Sequence, residues 1–132
     1  VDYFIYKFNF SKKDQKRLLF LKNFNSQKIT NKTFYEKNLN KIFYFNGKEA
    51  LMDVIYFKIF KSNKVPNKLI KIIENFKDKK PPLMPLKANT LMTKYNIPEG
   101  KELGKKLKVI EEVWVNNNFQ ISEKEVQKIV NS

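Results

Sequence analysis

The sequence contains neither cysteine nor histidine. Without cysteine there is no disulfide framework, no thiolate zinc site and no cysteine nucleophile. Without histidine the usual neutral-pH general base is missing, together with the catalytic triads built on it. Carboxylates are the remaining metal-ligating side chains, and they suit magnesium or calcium. Three glycines and five prolines are too few for a turn-rich all-β chain and suit a small number of helices on short connections. No apolar run reaches the roughly 18 residues of a membrane span, since Asp53 and Lys58 interrupt the stretch around Leu51–Phe60. Val1–Phe10 lacks the ordered basic, apolar and small-residue regions of a signal peptide. A cytoplasmic location without a membrane partner is the expectation.

What is present is apolar and basic. Hydrophobic residues make up 42% of 132, including 12 Phe and 6 Tyr, which is enough to fill one core. Lys and Arg number 27 against 13 Asp and Glu, a net charge of +14, and Arg17 is the one arginine. A codon bias toward Lys, Asn, Ile, Phe and Tyr accounts for lysine over arginine. It does not by itself produce a two-to-one excess of base over acid. Charge of this size speaks to a polyanionic partner and not to the fold.

Helical signals recur along the chain. Ser11 with Asp14 resembles a capping box and predicts a helix from Lys12 to Phe24, with Leu18, Leu21 and Phe24 inward. Asn25–Lys32 reads as a loop. Thr33 with Glu36 opens a second helix, carrying Tyr35, Leu39, Ile42 and Phe43 at helical spacing. Asn46-Gly47 stops it. Lys48–Lys61 predicts a third helix, apolar nearly all round through Ala50, Leu51, Val54, Ile55, Phe57, Ile59 and Phe60, and therefore central. Pro66 suits the first position of a fourth, with Leu69, Ile72, Ile73 and Phe76 inward. Lys79–Pro85 reads as an extended strap and the one plausible internal boundary. Beyond it come a short helix over Asn89–Tyr95 and a long one from Pro98-Glu99-Gly100 to Val115. Leu103, Leu107, Ile110 and Trp114 line one side of the long helix. Ser122 with Glu125 caps a final helix bearing Val126, Ile129 and Val130. The expected fold is all-α, an array of about seven helices in one domain or in two tightly joined parts.

Two basic clusters are candidate sites for a polyanion, RNA by the resemblance described below. Lys101, Lys105 and Lys108 lie at i, i+4 and i+7, nearly opposite the Leu103–Trp114 stripe. That geometry grips a phosphate backbone without reading bases, or is an ordinary solvated face partly neutralised by Glu112. Lys12, Lys13, Lys16 and Arg17 form a second patch with the same two readings. Gly100-x-x-x-Gly104 admits a phosphate at the helix start, or close packing against the preceding short helix. Exposed Tyr and Phe would stack on unpaired bases, but Tyr35, Phe43, Phe57, Phe76 and Trp114 fall at core spacing. No Asp-x-Asp pair for two metal ions and no phosphate loop occurs. Glu123-x-Glu125 comes nearest, and it belongs to the first turn of a helix, where the dipole favours acid.

Four segments carry a resemblance to a known family. The run Leu39-Asn-Lys-Ile-Phe-Tyr-Phe-Asn-Gly-Lys-Glu-Ala-Leu-Met-Asp-Val-Ile55 is one, and Pro85 through Leu107, containing Asn-Ile-Pro-Glu-Gly-Lys-Glu-Leu-Gly, is another. With Asn9-Phe-Ser-Lys-Lys-Asp14 before them and Trp114–Phe119 after, they resemble in order and spacing the C-terminal body of CCA-adding tRNA nucleotidyltransferases and poly(A) polymerases of alphaproteobacterial type. Phe45, Ala88 and Thr90 stand where that family has Arg, Gly and Asp. The resemblance implies a helical domain that holds tRNA by its backbone for 3′-end nucleotide addition. Magnesium, ATP and CTP would then bind a catalytic head that this chain lacks, supplied in cis or in trans, leaving no catalytic or metal residue and no cofactor here. Two other expectations stand beside it. One is a structural or oligomerisation domain whose charge serves solubility. The other is a degenerate split-gene product without RNA binding.

Overall fold

The computed structural model describes residues 2–26 and 36–132. Among them are eight helices and no strand: α1 (Asp2–Phe8), α2 (Lys12–Ser26), α3 (Glu36–Asn46), α4 (Lys48–Lys61), α5 (Asn67–Lys77), α6 (Ala88–Tyr95), α7 (Lys101–Asn116) and α8 (Glu123–Val130). The all-α class is as expected, with α1 additional to the helices read from the sequence. The chain divides into two compact units, Val1–Pro81 and Pro82–Ser132. No helix among the described residues is long and apolar enough to cross a membrane.

In the first unit α4 is central and packs on α2, α3 and α5. Phe24, Leu39, Phe43, Leu51, Val54, Ile55, Leu69 and Phe76 form its buried core. Each such side chain contributes about 1.5–3 kcal/mol when fully buried. Phe43 and Phe76 meet edge to face at 5.1 Å between ring centroids, the arrangement the ring quadrupole favours. One residue, Gly47, separates α3 from α4, and its φ of 89° is a conformation that L side chains rarely adopt. Asn40 is the buried polar residue of this core. The Lys79 ammonium donates to its Oδ1 at 3.4 Å and lies 4.8 Å from the Phe76 ring centroid. A buried amide without such a partner would be destabilising.

Helices α2 and α4 run parallel in a fixed register. Lys13 meets Glu49, Arg17 meets Asp53, and Asn25 meets Lys61, each pair 36 residues apart. The Ser11 hydroxyl accepts the Asp14 backbone N–H at 3.1 Å and donates to its carboxylate at 2.6 Å, starting α2 as the sequence signal indicates. The apolar circumference read for α4 needs correction. Ala50, Leu51, Val54 and Ile55 are buried, but Phe60 is 86% exposed and Tyr56 54%. At 100° per residue these two rings fall on the side of Glu49 and Asp53, away from the core. Pro66 is also displaced by one, standing in extended backbone before the helix. Its carbonyl accepts from Leu69 and Ile70, so it caps α5 and does not begin it. The expected Thr33–Glu36 box and Tyr35 lie outside the described residues and side chains.

The second unit is built from α6, α7 and α8 around Leu91, Ile97, Leu103, Ile110 and Val126. Ser122 and Glu125 form the anticipated capping box, with both reciprocal hydrogen bonds present. Trp114 is buried, its ring 5.1 Å from that of Phe119 and edge-on to it. Asn118 and Phe119 have positive φ, which ends α7 and turns the chain toward α8.

Close packing at Gly104 is contradicted. A Cβ built there meets no atom within 4 Å, and the residue is exposed within the helix, just past its first turn. Gly104→Ala should therefore stabilise the protein by about 0.5–1 kcal/mol through lower unfolded-state entropy, read as a raised denaturation midpoint. A lowered midpoint would mean that another backbone approaches this point.

Candidate nucleic-acid interface

Charge is shared unevenly between the units. Residues 1–81 carry 19 Lys and Arg against 7 Asp and Glu, net +12, whereas residues 82–132 carry 8 against 6, net +2. A long-range field that attracts a polyanion therefore originates in the first unit.

Lys101, Lys105 and Lys108 project from α7 as exposed side chains, with no ion-pair partner among the described residues. Lys106, which adjoins them in sequence, behaves differently. It is largely covered, reaches Glu102 at 3.6 Å and donates to the Val130 carbonyl at 2.5 Å. A cation at the C-terminal end of α8 is favourable there. Gly100 precedes α7 as an exposed N-cap with φ 151° and no side-chain capping bond. The α7 stripe is thus three free lysines on a nearly neutral unit.

The α2 patch is sorted by its partners. Lys12 and Lys16 are exposed and have no ion-pair partner among the described residues. Lys13 forms an ion pair with Glu49 at 2.8 Å, with both side chains more than half exposed. Such pairs contribute about 0–1 kcal/mol and open readily. Arg17 is held more firmly. Its Nε and an Nη each donate to the Asp53 carboxylate at 2.7 Å, where Asp53 is only 15% exposed. The hydrogen bond and charge of Asp53 raise the Arg17 pKa further above its ordinary value. This bidentate pair fixes α2 against α4 and leaves Arg17 in place as a charge in the wall of the patch.

Around these residues lies a groove that sequence reading missed. Lys13, Lys16, Arg17, Phe20, Phe45, Asn46, Glu49 and Ala50 line a space of about 330 Å³. Its walls come from α2 and from the α3–α4 corner at Gly47. No spacing rule links residues 13–20 to residues 45–50; the 36-residue register between α2 and α4 does so.

Two acidic residues of the second unit, Glu123 and Glu125, hold structural contacts. Glu123 takes the Lys94 ammonium at 2.5 Å. The Glu125 carboxyl, held below its usual range chiefly by the Ser122 backbone N–H, closes the capping box. No group of three or more Asp and Glu able to hold a metal ion occurs among the described residues. Comparison with family models, with curated proteins and with solved structures finds no match, and no family is assigned on that ground.

Proposed function

We propose that this chain is an RNA-holding helical module that grips a phosphate backbone mainly through its first unit. The observation that carries the reading is the +12 charge of residues 1–81. By the sequence resemblance the RNA is tRNA, and the reaction served is CCA or poly(A) addition at its 3′ end. Nucleotide addition, with its magnesium and nucleoside triphosphate, then falls to a catalytic head in cis or in trans. Backbone contacts position RNA without reading sequence, so tRNAs of different sequence should bind alike.

The test compares tRNA binding by two triple variants with the unaltered chain. Each lost phosphate contact lowers the salt slope by about 0.7–0.9. Lys101, Lys105 and Lys108 changed together to Gln should lower that slope by less than Lys12, Lys13 and Lys16 changed together to Gln. Gln is a good helix former, so the helices persist. A larger loss from the α7 set would move the RNA face to the second unit.

A second reading, a structural or oligomerisation domain, draws on α1. Tyr3, Phe4, Tyr6 and Phe8 there are each more than half exposed, aromatic surface of the kind that protein partners cover. Sedimentation of the chain as an oligomer without RNA affinity at low salt would favour it.

A further inference from the structure

We infer that the groove between α2 and the α3–α4 corner takes one unpaired nucleotide of the bound RNA. The base would stack on Phe45 and the phosphate would rest on Lys16 and Lys13. This inference rests on the RNA-holding reading and adds to it a selectivity that backbone charge alone does not provide.

Three observations converge on it. Phe45 is 45% exposed, although it sits in a helix whose other Phe, Phe43, is wholly buried. Its ring is braced edge-on by Tyr44, with centroids 5.0 Å apart and an interplanar angle of 85°, which leaves an aromatic surface at the groove rather than in the core. Basic groups surround that surface. Lys16 is free among the described residues, Arg17 is fixed by Asp53, and Lys13 is held only by its exposed pair with Glu49. An arriving phosphate releases Lys13 from Glu49 at little cost. The freed carboxylate and the Asn46 amide then face the base edge, one accepting and the other both donating and accepting. A volume of about 330 Å³ is at the small end of ligand sites, suited to one nucleotide. In the interior of a duplex both faces of each base are already stacked, so only its two end pairs have a face to offer Phe45.

The experiment measures affinity at low salt for two RNA probes of equal phosphate number, a single strand and a blunt duplex long enough to stay paired at that salt. Phe45→Ala should weaken single-strand binding about tenfold or more, the usual effect of losing one stacked base, and should leave duplex binding unchanged. Phe45→Trp should restore the single-strand affinity, and Phe45→Leu, apolar but without a π-face, should not. Replacing one nucleotide after another by an abasic residue should reproduce the Phe45→Ala loss at some position in the unaltered chain and have no effect in Phe45→Ala itself. If Phe45→Ala leaves single-strand binding intact while the unaltered chain binds both probes, the groove inference fails and the RNA-holding reading stands. Equal losses on both probes, or rescue by Leu, would make Phe45 a structural residue and also overturn it. If neither probe binds the unaltered chain, the RNA reading itself fails and takes the groove with it.

Discussion

Phe43→Ala should destabilise the fold by about 3–5 kcal/mol, the range for deleting a buried aromatic ring. Phe43 is fully buried at the meeting of α3, α4 and α5, edge-on to Phe76. Lys79 adds to the cost, because its ammonium lies over both rings, 6.0 Å from Phe43 and 4.8 Å from Phe76, while bonding Asn40. Deleting one ring leaves a cavity and slackens the lysine that satisfies a buried amide. Against a total stability of about 5–15 kcal/mol for a typical domain, such a loss is large. Far-UV circular dichroism in urea reads it as a lower midpoint. Phe43→Leu, closer in volume, should cost less. A Phe43→Ala midpoint equal to the unaltered chain's would show that α3 does not pack as described.

Local chemistry made most of the fold legible in advance. Each signal of that kind acts within four residues. The Ser122–Glu125 box satisfies two backbone donors reciprocally. Gly47 supplies the positive φ between α3 and α4. The Leu69, Ile72, Ile73 and Phe76 stripe repeats at the helical period and packs inward. Features that depend on distant residues were not legible. The apolar surplus of α4 suggested burial all round, yet Tyr56 and Phe60 lie on the flank where Glu49 and Asp53 reach α2, so the charge pairing decides which apolar residues remain in solvent. α1 gave no capping signal and holds no buried residue.

The candidate interface divides in the same way. Periodicity was enough to place Lys101, Lys105 and Lys108 on one exposed face. In the α2 patch it did not separate Lys12 and Lys16, which are free, from Arg17, whose partner Asp53 is 36 residues away. Phe45 was legible only as a residue two positions beyond Phe43, the second of the inward pair. Its place in a basic groove follows from the tertiary register.

A salt titration of tRNA affinity tests the central claim most directly. A polyelectrolyte grip releases counterions in proportion to the phosphates it neutralises, so log K falls linearly with log salt. For about four to six phosphates the slope should be roughly −3 to −5, a loss of about two to three orders of magnitude in affinity between 50 and 200 mM salt. Several tRNAs of unrelated sequence should give superimposable lines, because the contacts position the RNA and do not read it. Absence of tRNA binding at the lowest salt, or a slope near zero, would contradict the account and leave the +14 charge without a polyanionic partner.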